Sequence, residues 1–315
     1  MVLFAWAVNV AVALVLALPL FHQLDAYIGD TVRGEELVRG LSENWYKTWQ
    51  LDMVGSELAR NVDYSLFGYA PFLNHTETVL AGTVVKAVGD FFYDLLFRLR
   101  IGTPGLLVGL TFLYVLLSTF LAGAFIGTYA KDYRVSFTEF LMEGAKHFGR
   151  FFRLSLFALV LYYLLFLWLF DWATDSIPVW TANEPSEMTP FVYYMVKNVL
   201  VFFLLSVVTM CVDYAKIRVV VEDRISVLVA LAAGTRFALK NFRKTFGLYL
   251  LLSLIGVVFI VVYAILERQI PQHTFRMIFL ALVLGQVYLI ARIGLKVSFY
   301  ACQTALYRQV SGGQS

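Results

Sequence analysis

The chain is poor in charged residues. Asp, Glu, Lys and Arg make up only 15% of its 315 positions, whereas hydrophobic residues make up 60%. A soluble domain is typically about half apolar and about a quarter charged. An ordinary soluble protein is therefore excluded, because the surplus of apolar side chains has to face lipid. The formal net charge of +3 is too small to indicate a nucleic-acid partner.

Reactive and metal-binding residues are also scarce. The only cysteines, Cys211 and Cys302, each lie in an apolar run near its charged end, so a framework disulfide is not expected. None of the four histidines has metal-ligand spacing to another histidine or to a pair of carboxylates. These histidines are His22, His75, His147 and His273. We therefore expect neither a metal nor a cofactor.

Catalytic motifs are missing as well. There is no HExxH, no G-x-S-x-G, no phosphate-binding Gly-rich loop, and no Ser or Cys nucleophile with a nearby base. A membrane-embedded lipid enzyme would need histidines or acidic residues clustered at one interface, and the sequence has no such cluster. We predict that the protein is not an enzyme.

Long apolar runs are what the chain has in abundance. Crossing about 30 Å of hydrocarbon takes roughly 20 helical residues at about 1.5 Å each. We therefore predict an all-α polytopic membrane protein with about six transmembrane helices. The predicted spans cover residues 2–21, 106–130, 154–170, 191–212, 246–266 and 277–299.

Part of the chain occurs twice. A shift of 90 residues places residues 134–136 on 224–226 without a gap, and Gly144 on Gly234. In each copy an apolar run is followed by a charged segment, an amphipathic segment and a second apolar run. Self-similarity at one offset indicates duplicated structure, here a parallel repeat related by an axis along the membrane normal. The alternative is two unrelated surface helices of similar composition.

The charged and amphipathic segments are named here the first elbow, residues 131–153, and the second elbow, residues 216–244. In each we expect a helix with one apolar face and one basic face, lying in the headgroup layer. Basic residues near the surface are attracted to anionic lipid by about 1 kcal/mol each, through a specific lipid site or through plain anchoring. The predicted headgroup contacts are Lys146, Arg150, Arg153, Arg236, Lys240, Arg243 and Lys244.

The short loops predict the orientation. The first elbow holds five Lys or Arg and the second holds seven, whereas residues 172–190 hold none and residues 267–276 hold two. Lys and Arg accumulate on the cytoplasmic side of short loops. Both elbows and both termini are therefore predicted to be cytoplasmic.

The predicted division of the chain has five parts. Residues 1–22 form the first transmembrane helix, and residues 23–101 form an external amphipathic region with helices over 35–51 and 83–99. Two repeats then follow, each made of a helix, an elbow, a helix and an outer loop. The repeats cover 102–190 and 191–275, and residues 276–315 form the last transmembrane helix and the tail.

The last span carries two basic residues on one face. Arg292 lies sixteen residues beyond Arg276, roughly 24 Å at helical rise, so it is expected inside the hydrocarbon. Ionisable groups at that depth turn inward and pair. We predict an Arg292–Asp213 contact, with Lys296 reaching Glu222 or the headgroups. The pair either belongs to a substrate or ion path or sets the helix register.

Three passages resemble a family of uncharacterised bacterial multi-pass membrane proteins. They are residues 45–74, WYKTWQLDMVGSELARNVDYSLFGYAPFLN, residues 213–226, DYAKIRVVVEDRIS, and residues 285–306, GQVYLIARIGLKVSFYACQTAL. The resemblance implies the six-span plan and a bacterial inner membrane. It brings no activity and no catalytic residues.

These patterns favour a structural or accessory subunit of a membrane complex, in contact with lipids and with other membrane proteins or further copies of itself. The alternative is a transporter or channel for a small solute or lipid that uses the Arg292/Lys296 face between the repeats. A continuous polar cavity between the repeats would favour transport, and tight packing would favour the accessory role.

Overall fold

The computed structural model describes residues 1–29, 43–53, 106–131, 133–223, 226–270 and 274–312. All regular structure in these ranges is helical, which confirms the predicted all-α class. The α-helices are α1 (Val2–Gly29), α2 (Glu43–Asp52), α3 (Leu106–Tyr129), α4 (Phe137–Leu164), α5 (Trp172–Trp180), α6 (Met188–Val221), α7 (Val227–Lys240), α8 (Phe242–Arg268) and α9 (Phe275–Gly312). A π-helical turn, Leu165–Asp171, joins α4 to α5.

Within the described residues, six helical stretches are long and apolar enough to cross a membrane. This confirms the predicted number of spans, and the protein is a polytopic helical membrane protein. The stretches are Val2–Gly29, Phe112–Tyr129, Phe137–Trp180, Met188–Val221, Phe242–Arg268 and Phe275–Ser311. With 38 residues, α9 is about 57 Å long, so it extends beyond a hydrocarbon layer of about 30 Å.

The chain divides into two compact units. Unit 1 comprises Met1–Val84, Phe91–Tyr114 and Leu251–Ser298, and unit 2 comprises Val85–Asp90, Val115–Leu250 and Phe299–Ser315. The helices α3, α8 and α9 each contribute to both units. The five-part division predicted from the sequence stays a prediction.

In unit 1, α1 packs against the short helix α2. Trp45 and Trp49 of α2 are buried against Tyr27, whose hydroxyl donates a 2.6 Å hydrogen bond to Asp52. This contact contains the second half of the apolar stripe predicted over residues 35–51. Residues 35–42, and the helix predicted over 83–99, lie outside the described residues.

In unit 2, α3 and α6 are the most enclosed spans. Of the residues in their apolar stretches 44% and 39% are buried, against 11–13% in the other four spans. On α6 packs a cluster in which Leu154 and Ala158 of α4 meet Val212 and Ala215, together with Val227 of α7. The spans α3 and α6 are therefore in contact with protein over a larger share of their residues than the other four spans.

The elbows differ in one respect from the prediction. In the first elbow, α4 begins at Phe137 and continues without a break into the following span as far as Leu164. In the second, α7 is a separate helix that ends at Lys240, and α8 begins after Asn241. The first elbow and its span are thus one helix, whereas the second elbow is followed by a break.

Candidate functional site

The polar groups of unit 2 concentrate where α3 and α6 end and α4 and α7 begin. This region, with the C-terminal part of α9, is called here the elbow end of unit 2. Asp213 and Lys216 of α6 are both about nine-tenths buried there, and the Lys216 ammonium lies 3.3 Å from the Asp213 carboxylate. Because burying a lone charge is costly, this pair on one helical turn is the arrangement that makes both groups tolerable.

The C-terminal part of α9 is tied to the end of α6 and to the end of α3. The Glu222 carboxylate accepts a 2.9 Å hydrogen bond from Arg218 Nε and a 2.5 Å hydrogen bond from the Tyr307 hydroxyl. One residue further along α9, Arg308 donates to the backbone carbonyl of Ala130, next to the end of α3. The C-terminal part of α9 is therefore held by polar contacts with two other helices of unit 2.

In the first elbow, one carboxylate joins a lysine and a histidine. Glu143 lies 2.9 Å from the Lys131 ammonium and 3.3 Å from His147 Nε2. The hydrogen bond to Glu143 raises the pKa of Lys131. A Cβ at Gly127 would lie 2.8 Å from the Glu143 Cβ, so the glycine lets α3 and α4 approach closely at this point.

An ion pair joins the first elbow to the second. The Arg150 guanidinium of α4 lies 2.6 Å from the carboxylate of Asp223, in the loop after α6. The hydrogen bond from Arg150 lowers the pKa of Asp223. Asp223 has a φ of 46°, a left-handed conformation that Asp adopts more readily than most residues. The turn between α6 and α7, which lies in the second elbow, is thus held by a residue of the first elbow.

Six of the seven predicted headgroup contacts are exposed. Arg150 is the exception, since its guanidinium is engaged by Asp223. The exposed six are Lys146, Arg153, Arg236, Lys240, Arg243 and Lys244. Membrane-spanning helices imply contact with lipids, and these bases lie on the segments that flank the spans.

The acidic partners predicted for the last span have other partners in the structure. Asp213 pairs with Lys216, and Glu222 with Arg218 and Tyr307. All of these residues belong to unit 2.

Arg292 and Lys296 belong to unit 1. The Arg292 guanidinium lies 5.2 Å from the ring centroid of Tyr288, and that ring stacks at 4.4 Å on Tyr263 of α8. The predicted Arg292–Asp213 and Lys296–Glu222 contacts stay predictions.

Lys197 is a buried cation that the sequence reasoning missed. Its ammonium donates a 2.9 Å hydrogen bond to the Thr174 hydroxyl and lies 4.1 Å and 5.1 Å from the ring centroids of Phe170 and Tyr194. The signal was available, because Lys197 is the only charged residue in the apolar run 191–212. Phe170 and Thr174 belong to the π-helical turn and α5, which the sequence treated as a span end and a loop, and Tyr194 lies on α6 itself.

The arrangement can lock helices together, since each charge described at the elbow end has a polar partner within reach. Within the described ranges, no three His, Cys, Asp or Glu side chains are grouped so that they could hold a metal ion. The observed geometry thus combines local pairs at the end of α6 with polar contacts that join different helices.

No family model matches the chain, and no curated protein and no solved structure is significantly similar to it. The resemblance to a bacterial membrane-protein family therefore stays an expectation. The described helices establish a multi-pass membrane protein.

Proposed function

We propose that the protein is a non-enzymatic structural or accessory component of a membrane complex. The observation that carries the proposal is the contact between α4 and α6, the helices of the two predicted repeats. Leu154 and Ala158 pack directly on Val212 and Ala215. Tight apolar packing at this position is what a scaffold needs, whereas a conduit for a solute needs a continuous polar surface.

The polar groups along α6 support the same proposal. Lys197 and Asp213 are separated on the buried side of the helix by Val201, Leu205 and Met210, which are at most 4% exposed. Of the side chains between them, the Thr209 hydroxyl is 2.7 Å from that of Tyr162. Isolated polar contacts with apolar residues between them stabilise a fixed helix arrangement and do not form a path.

A parallel internal repeat is part of this proposal. The helices α4 and α7 begin 90 residues apart, at Phe137 and Val227. Both residues of the aligned pair Gly144 and Gly234 are buried against the preceding span. Residues 122–127 and 212–217, again 90 apart, are buried throughout. Equal spacing in both sequence and burial supports a duplicated helix–elbow–helix unit.

We infer that the elbows lie on the cytoplasmic face of a bacterial inner membrane, with both termini on that side. The exposed bases of the elbows support this orientation, because Lys and Arg are retained on the cytoplasmic side. Cysteines introduced at the exposed positions Lys146 and Arg236 should resist a membrane-impermeant maleimide in intact cells and react after permeabilisation. Labelling in intact cells above that of the parent protein would contradict the orientation.

The function itself is tested on the full-length protein in its native membrane. An epitope-tagged chain is extracted into native nanodiscs, sized, and analysed by quantitative mass spectrometry beside an unrelated tagged six-span protein. We expect a particle larger than one chain, with a second protein or further copies at a fixed stoichiometry. A single-chain particle without stoichiometric partners would contradict the proposal.

The alternative function is transport through the Arg292/Lys296 face. The stacking of Arg292 on Tyr288 supports it, because that guanidinium is held by a ring of its own helix deep in a span. Candidate solutes are tested for flux in proteoliposomes with the parent protein and with Arg292→Ala. Flux that Arg292→Ala abolishes, in a variant that still folds, would replace the accessory role with transport.

A further inference from the structure

Three buried polar side chains at the elbow end of unit 2 have no hydrogen-bond partner among the described residues. They are Tyr214, which is fully buried, and Gln303 and Thr304, each 1% exposed. For Gln303 this applies to both the amide oxygen and the amide nitrogen. Buried polar groups in folded proteins are nearly always hydrogen-bonded, because an unsatisfied group loses its interaction with water without replacement. Orphaned groups at one end of one unit therefore indicate a partner that is not protein.

One aromatic ring links the helices that carry the three side chains. Phe237 of α7 lies 5.3 Å from the ring of Tyr214 on α6 and 4.7 Å from the ring of Tyr307 on α9. Gln303 and Thr304 precede Tyr307 by four and three residues, so all three share one face of α9. The same region of unit 2 therefore holds all three unsatisfied side chains.

The register of α6 and α9 brings these groups to similar levels. Tyr307 donates to Glu222, which fixes the two helices side by side at that point. Gln303 lies one turn before Tyr307, about 6 Å along α9, and Tyr214 lies eight residues before Glu222, about 12 Å along α6. The two differ by only about 6 Å along the axis, a gap that their long side chains can narrow.

The chemistry of the site defines its occupant. Two hydroxyls and one amide can both donate and accept hydrogen bonds, and none of them carries charge. The neighbouring carboxylates of Asp213 and Glu222 are neutralised by Lys216 and Arg218. The site therefore suits a small neutral molecule that donates and accepts hydrogen bonds. It does not suit an ion of either sign, because it offers no uncompensated opposite charge.

We propose that the elbow end of unit 2 holds internal water, bound jointly by the Tyr214 hydroxyl, the Gln303 amide and the Thr304 hydroxyl. Buried waters typically make about three hydrogen bonds to otherwise unsatisfied groups, which is the number of side chains available. The water links α6 to α9 in addition to the direct Tyr307–Glu222 contact.

The sign of one stability change tests the proposal. In the full-length protein in nanodiscs, Gln303→Leu should lower the thermal midpoint by a few degrees, because the water loses a partner and leaves Tyr214 and Thr304 unsatisfied. If the Gln303 amide has no partner at all, the same substitution removes an unsatisfied group and should leave the midpoint unchanged or raise it. That outcome would overturn the proposal. Gln309→Leu, at an exposed position of the same helix, is the matched control.

A second measurement needs no variant. X-ray radiolysis converts bound water to hydroxyl radicals that label adjacent side chains. Labelling of Tyr214 should be several-fold higher than that of Phe140 and Phe151, which are equally buried in unit 2. Labelling of Tyr214 no higher than that of these two phenylalanines would overturn the proposal, whatever the stability of Gln303→Leu.

Discussion

The two elbows begin alike and end differently. Each helix starts after a serine, Ser136 or Ser226, with its backbone in the extended region. The first then runs on into its span, whereas the second stops at Asn241. Segments that align at a fixed offset can therefore start a helix after the same residue type and end it differently.

The residues at the aligned positions 151 and 241, where the second elbow helix ends, explain the difference. Phe151 in the first copy is fully buried, so continuing the helix places its ring in the core. Asn241 takes the same position in the second copy, and its amide donates to the carbonyl of Phe237 one turn earlier. Asn side chains that bond to nearby backbone groups compete with helix formation. The buried hydroxyl of Thr245, which donates to the Ala238 carbonyl, holds the new direction.

The largest expected effect contrasts the two aligned glycines. A Cβ at Gly234 would lie 2.6 Å from the backbone nitrogen of Ala215, so Gly234→Ala must push α7 away from α6. The atoms nearest to a Cβ at Gly144 would be those of the Phe120 ring, at 2.9–3.1 Å, and that ring can move. In thermal unfolding in detergent, we expect Gly234→Ala to cost about 1–3 kcal/mol and Gly144→Ala less.

Two other glycines are the controls for that comparison. Nothing lies within 4 Å of a Cβ at Gly149 or Gly247, so alanine at either position should be neutral or slightly stabilising. Equal losses for Gly234→Ala and Gly144→Ala would mean that the two elbow helices meet their preceding spans in the same way, contrary to the structure.

The next effect concerns the break in the second elbow. Thr245→Val keeps the shape of the side chain but leaves the Ala238 carbonyl without this donor, which should destabilise the protein by about 1–2 kcal/mol. Its counterpart is Ser155→Ala in the continuous helix α4, which removes a 3.2 Å contact between the Ser155 hydroxyl and the Thr119 hydroxyl on α3. We expect a smaller loss there, measured by thermal unfolding. The reverse order would show that the Thr245 hydroxyl does not stabilise the break.

A smaller effect distinguishes the N-termini of the two elbow helices. Ser136 accepts a hydrogen bond from the Glu139 amide while the Glu139 side chain accepts from the Ser136 amide, whereas Ser226 makes no capping hydrogen bond with its side chain. Ser136→Ala should cost about 1 kcal/mol, and Ser226→Ala less. Faster hydrogen exchange at the Glu139 amide in Ser136→Ala is the local signature. Unchanged exchange there would argue that the cap contributes nothing.

The smallest effect is the pH dependence of the contact between the elbows. Arg150 lowers the pKa of Asp223 in the folded state. The ion pair therefore stabilises the folded protein fully at pH values above the unfolded-state pKa of about 3.9. This stabilisation is lost as the pH falls through the folded-state pKa. Asp223→Asn retains a residue suited to the left-handed backbone but removes the charge. The midpoint difference between parent and variant should be present at neutral pH and vanish on acidification, and a constant difference would contradict the assignment.

The number of spans and the positions of the elbows were predictable because they depend on local composition. A run of about twenty apolar residues crosses lipid whatever its neighbours are, and an amphipathic segment lies at an interface. Local spacing offers Asp213 a partner on its own helix, because Lys216 lies three residues further on, and the two side chains are paired in the structure. The sequence shows Lys197 as the single charge in its apolar run, but it does not show that the ammonium meets Thr174 on α5.

By itself, the sequence determined that this is a helical membrane protein with six lipid-crossing segments and basic elbows, since length and polarity suffice for that. Only the tertiary structure decided which polar groups meet. Glu222 and Tyr307 are 85 residues apart, and Arg150 and Asp223 are 73 apart. Such contacts depend on which helix faces come together, and local periodicity carries no information about a partner on another helix.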